Sequence, residues 1–121
     1  MINIKQNITK QDLLQLNDNQ IKALFTYWWK TPPVKKNLNT SYARCEYDTG
    51  YLLDLPLMSI GDMIEYLQQL NLPLKFVLNL KLNDKWYVEN YYGFSEQEEL
   101  CDCLWELTKE VLKINEYRRI R

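Results

Sequence analysis

The chain has 121 residues, an apolar fraction of 46% and a net charge of −1. That size bounds one domain with one modest core, and the near-neutral balance argues against a general nucleic-acid binder, which carries a basic excess. Histidine is absent and the three cysteines are an odd number, which removes the commonest general base and metal ligand and gives no disulfide framework.

The opening Met1-Ile2-Asn3-Ile4-Lys5-Gln6-Asn7 has no apolar core or small-residue cleavage site, so a secretion signal is not expected. No apolar run approaches the roughly 20 residues of a membrane helix. The expected location is therefore cytoplasmic. Thr9-Lys10-Gln11-Asp12 has capping-box spacing, with a helical turn over Lys10 to Leu14. Asn17 caps a second helix from about Asp18 to Lys30. Its apolar stripe is Ile21, Leu24, Phe25 and Trp28, at i, i+3, i+4 and i+7. Pro32-Pro33 stops it.

Val34 to Thr40 reads as a loop. Tyr42 to Tyr47 has strand-like content, Asp48-Thr49-Gly50 is a turn signal, and Tyr51 to Asp54 can pair back. Ser59 is a strong N-cap with Asp62 at N3, and Met58 and Met63 take the hydrophobic-staple positions. The buried face of this third helix is expected to be Ile60, Met63, Ile64 and Leu67. Asn71-Leu72-Pro73 ends it.

Phe76, Leu78, Leu80 and Leu82 alternate with Lys75, Val77, Asn79 and Lys81, the period of a strand with one covered face. Trp86 and Val88 carry the next strand's apolar face. A two-residue Asn83-Asp84 turn pairs Leu82 with Lys85. A three-residue loop pairs Leu82 with Trp86 and Leu80 with Val88. The longer loop keeps both apolar sets on one face and is preferred. Gly93 breaks the strand. Ser95 and Glu98 form a further capping box, opening a last helix from about Glu96 to Lys113. Its stripe is Leu100, Cys103, Leu104, Leu107, Val111 and Ile114. The tail Tyr117-Arg118-Arg119-Ile120-Arg121 is basic and expected to fray.

No residue pattern here carries a reaction. Cys101 and Cys103 fall roughly 200° apart on a helix and cannot grip one ion, so no metal site or cofactor is expected. Cys103 reads as a core residue. The carboxylates offer no paired spacing, and three glycines build no phosphate loop. The aromatics are more informative: nine tyrosines and four tryptophans. Tyr27 and Trp29 lie off the second helix's stripe. Tyr87 and Tyr91 fall on the hairpin face opposite Trp86 and Val88. Exposed rings of this kind favour protein interfaces, and these four residues are the expected contact surface. Lys75 and Lys81 on the same face, with Arg118 and Arg119 in the tail, would instead suit a single nucleic-acid strand stacked on the tyrosines.

Three strings carry a family resemblance: Ile8-Thr9-Lys10-Gln11-Asp12-Leu13-Leu14, with Tyr27-Trp28-Trp29; Leu55 to Leu67; and Leu100-Cys101-Asp102-Cys103-Leu104-Trp105-Glu106. They resemble segments of small uncharacterised phage and prophage proteins of low-GC Gram-positive bacteria. There a similar stretch is followed by a strand pair and a closing helix. The resemblance implies a bacterial host and a small accessory protein. Such proteins often bind and block a host component, including immune machinery. No catalytic or binding residue follows from it.

The expected fold is a single α+β domain over residues 1–121, with three main helices packed on a small antiparallel β-sheet. The expected function is that of a non-enzymatic phage or prophage accessory protein acting on a host protein by contact, for example as an inhibitor of host defence. The alternatives are a small nucleic-acid-binding regulator or a protein that sequesters a nucleotide signal.

Overall fold

The computed structural model describes residues 4–30, 40–47, 50–68, 75–79, 85–90 and 93–119. The order is α1 (Lys10–Leu13), α2 (Asp18–Lys30), β1 (Tyr42–Tyr47), β2 (Tyr51–Pro56), α3 (Ile60–Gln68), β3 (Lys75–Asn79), β4 (Lys85–Asn90), β5 (Gly93–Gln97) and α4 (Leu100–Arg119). The expected α+β class holds. The strands form two small antiparallel sheets rather than one: a β1–β2 ribbon and a β3–β4–β5 sheet.

Each early helix is started by side chains that satisfy its orphan donors. Thr9 and Asp12 complete the first box. At α2 the Gln20 N–H donates to Asn17 Oδ1, and the Asn17 N–H donates to Gln20 Oε1, both at 2.8 Å. At α3 the Asp62 N–H donates to Ser59 Oγ, and the Ser59 N–H donates to Asp62 Oδ2, both at 3.0 Å. Met58 and Met63 are buried on either side of that cap, as a hydrophobic staple requires. The N-terminal segment is tied to the same place. The Ile8 N–H donates to Met58 O, and the Ile60 N–H donates to Gln6 O.

The chain departs from its sequence reading at the start of the last helix. Gly93–Gln97 is a strand, and α4 begins at Leu100, with the Cys103 N–H donating to Glu99 O. Ser95 caps nothing. Its hydroxyl is buried and donates to Cys103 O at 2.8 Å. Phe94, Ser95 and Glu96 alternate exposed, buried, exposed. Pairing with β4 outweighs the local capping pattern, a tertiary override of local preference. The helix also continues to Arg119 rather than ending near Lys113.

The β3–β4 register corrects the loop as well. Phe76 pairs with Val88 and Leu78 with Trp86, so neither sequence-derived register is adopted. The shift from the preferred one is even, so apolar positions still pair with apolar positions. The expected strand residues Leu80, Lys81 and Leu82, and the Asn83-Asp84 turn, lie outside the described residues.

Helix α4 is the centre of the molecule. It packs on α2, α3, β4 and β5. Cys101, Cys103, Leu104, Trp105, Leu107, Thr108, Val111 and Leu112 are all buried. This is wider than one stripe, because the helix is covered from several sides. The buried faces of α2 and α3 are also rotated from expectation, because Tyr27 of α2 and Tyr66 of α3 meet edge-on. Tyr27 and Tyr66 are in, while Phe25, Ile60 and Ile64 are only half-buried.

Candidate functional site

Of the four aromatics expected at a contact surface, Tyr27 is not exposed. It is 9% accessible and its ring meets Tyr66 edge-on, with centroids 4.6 Å apart. Burial first, then the Glu65 and Asp62 charges, push its hydroxyl up to about 12. The helix stripe misses Tyr27 because its ring is covered by Tyr66 of α3, while α2 also packs on β2 and α4. Tyr91 and Lys81 lie outside the described residues. Lys75 is on β3, opposite Glu89 in register, and Arg118 and Arg119 are in the last turn of α4; their side chains lie outside the description.

Trp29 does stand at the surface, with 41% of its area accessible. It is fixed there. Its indole N–H donates to Asp54 O at 3.0 Å, and its ring stacks on Tyr42 at 5.4 Å and 26°. Tyr42 is equally exposed, and its hydroxyl accepts the indole N–H of buried Trp28 at 3.1 Å. Two consecutive tryptophans at the end of α2 therefore anchor the ribbon from two sides. One holds a backbone carbonyl of β2, and the other holds a side chain of β1. The same ribbon face carries Arg44, ion-paired with Asp54 at 3.3 Å, and the exposed Leu52. Tyr42, Arg44 and Leu52 were missed in sequence. The alternation of Tyr42, Arg44 and Glu46 against Ala43 and Cys45 is the signal that locates them on one face.

Tyr87 lies on the outer face of the other sheet. Its ring stacks on Phe94 at 5.6 Å and 25°, and its hydroxyl donates to Glu89 at 3.0 Å. That hydrogen bond raises the Tyr87 pKa. Phe94 is 67% exposed. It was hidden in sequence by the capping box assigned to its neighbour. Trp29 belongs to α2 and Tyr87 to β4, and each stacks on a ring outside the expected set of four, Trp29 on Tyr42 and Tyr87 on Phe94.

The cysteines offer little chemistry. All three are free and buried. Burial pushes the Cys101 thiol up to about 11 and raises Cys45 and Cys103. Nucleophilic attack needs the thiolate, and these environments disfavour it at neutral pH. Among the described residues no group of three or more His, Cys, Asp or Glu side chains could hold a metal ion, and no helix is long and apolar enough to cross a membrane. One charged cluster joins three segments: Lys5 bridges Asp12 at 2.8 Å and Asp102 at 2.5 Å. Burial works to lower the Lys5 pKa, but the hydrogen bonds to Asp102 and Asp12 outweigh it and hold it raised. The cluster thus ties the N-terminal segment to α1 and α4.

No family model, curated protein or solved structure matches the chain.

Proposed function

We propose that this chain is a non-enzymatic binding protein that works by contact with another protein, through the Trp29–Tyr42 platform and the ribbon face beside it. The carrying observation is that these two exposed rings are held by hydrogen bonds from Trp29 to the β2 backbone and from Trp28 to Tyr42. Rings fixed before binding lose little further rotamer freedom on binding. Trp, Tyr and Arg are also the residues that dominate interface energies, and here Arg44 completes that set. The resemblance to small phage and prophage proteins directs the search to the bacterial cytosol, with host immune machinery as the first partner class.

The test is affinity purification of the tagged full chain from a low-GC Gram-positive host, with and without nuclease. A defined protein should survive nuclease and change little with salt. Trp29→Ala should weaken its binding by about 1–2 kcal/mol, measured where circular dichroism shows the variant still folded. Recovery of nucleic acid alone, with steep salt dependence, would overturn the proposal. So would a Trp29→Ala chain that retains the partner as well as the parent does.

A further inference from the structure

The hydrogen bonds of the ribbon show which of its backbone groups point outward. An antiparallel ladder alternates pairs that exchange both hydrogen bonds with pairs whose N–H and C=O face away. The Leu57 N–H donates to Ser41 O at 2.8 Å, one step beyond the Tyr42↔Pro56 pair. The inward pairs are therefore Ala43↔Leu55, Cys45↔Leu53 and Tyr47↔Tyr51. The backbone groups of Tyr42, Arg44 and Glu46 face away from β2. A second bond agrees: Asp54, opposite Arg44, uses its outward carbonyl to accept the Trp29 indole.

The two edges of the ribbon are then unequal. The β2 edge is closed by that indole and by Pro56, which has no N–H to offer. Among the described residues no further strand pairs with the β1 edge. Its exposed side chains Arg44 and Glu46 carry opposite charges two positions apart. Charges on an edge normally blunt pairing. Here they are self-complementary in one antiparallel register. With a twofold axis at Cys45, Arg44 faces the second copy's Glu46, and Glu46 faces the second copy's Arg44. All four residues then have their N–H and C=O aimed across the new seam. An axis at Arg44 would instead oppose two arginines, which is repulsive.

We infer that the chain self-associates through β1, antiparallel about Cys45, giving a continuous β2–β1–β1–β2 sheet between two copies. In that sheet Arg44 lies between Asp54 of its own β2 and Glu46 of the second copy. Both Trp29–Tyr42 platforms come to the same side of the sheet. The pairing stands on the ribbon alone and does not depend on which partner, if any, the platform takes.

Sedimentation velocity over a concentration series tests it, using the full chain, Arg44→Glu and Glu46→Arg. The parent chain should show a concentration-dependent dimer. Each single variant places like charges at both contacts and should weaken that dimer at least about tenfold. An equimolar mixture of the two variants should dimerise again, because the two acidic side chains of one variant then face the two basic side chains of the other. Both positions are exposed, and far-UV circular dichroism checks that the variants fold. A parent chain that stays monomeric would overturn the inference. So would single variants that associate like the parent, or a mixture that stays monomeric.

Discussion

The ribbon and the three-stranded sheet both display stacked aromatics, but they hold them differently. On the ribbon, Trp29 and Tyr42 are tied by indole hydrogen bonds to Asp54 O and from Trp28. On the sheet, Tyr87 and Phe94 lean on each other, and the Tyr87 hydroxyl reaches only to Glu89 beside it on the same strand. The inner faces differ in their hydrogen bonds. The sheet's inner face lies on α4, where Ser95 bonds to Cys103 O and the Cys103 thiol reaches Ser95 O at 3.1 Å. The sheet is thus tied to α4 by hydrogen bonds at its inner face, while the ribbon, whose Cys45 and Leu55 are also buried, spends its indole hydrogen bonds at the surface. Burial secures a fold, whereas hydrogen bonds spent on exposed rings suit recognition.

The contact between α4 and the sheet is the place to break that contrast most severely. Leu107 is fully buried, and a Cβ added at Gly93 would lie 3.8 Å from its Cδ1. Leu107→Ala should cost about 2–5 kcal/mol in urea melts, through lost transfer energy and a residual cavity. The amides of β5 should lose hydrogen-exchange protection. A loss no greater than that of an exposed position would show that the sheet does not rest on α4.

Tyr42→Phe sharpens the comparison from the ribbon side. It keeps the ring and its stack on Trp29 while removing the acceptor of the Trp28 indole N–H. Trp28 is buried, so an unpaired donor there should cost about 1–3 kcal/mol in the same melts. A neutral Tyr42→Phe would mean that the ring alone holds the ribbon. The two sheets would then finish their surfaces alike.

What could be read in advance follows the range of the interactions involved. The caps at Thr9, Asn17 and Ser59 are local, spanning three residues each, and all three form. The first hairpin was also legible, because Gly50 at a φ of 111° supplies the turn conformation that its signal implies. The strand Gly93–Gln97 was not, because Ser95 has the same local chemistry at a cap and in a strand. Only pairing with β4 and the carbonyl of Cys103 decide between them. Tyr27 was misplaced for the same reason. A single helical stripe describes a helix with one neighbour, and α2 meets β2, α4 and the Tyr66 ring of α3. Trp29 was found by subtraction from that stripe. Its partner Tyr42 comes from another element, which a helix pattern cannot supply.

The smallest effect should come from the sheet's outer pair. Phe94 is exposed and its stack on Tyr87 joins neighbouring strands, a contact worth roughly 0.2–1 kcal/mol. Phe94→Ala should therefore lower stability by about 0.5 kcal/mol or less, since the substitution uncovers no buried polar group and opens no cavity. The near-ultraviolet circular dichroism of Tyr87 should change, because its ring loses a stacked neighbour. Partner binding through the Trp29–Tyr42 platform should be untouched, because the platform is formed by α2 and β1 whereas Tyr87 and Phe94 belong to β4 and β5. Matched urea melts of Phe94→Ala and Tyr42→Phe decide the matter. If the exposed phenylalanine cost as much as the tyrosine hydroxyl, the outer face of the sheet would be covered and secured like a core. The distinction between the sheet and the ribbon would then be lost.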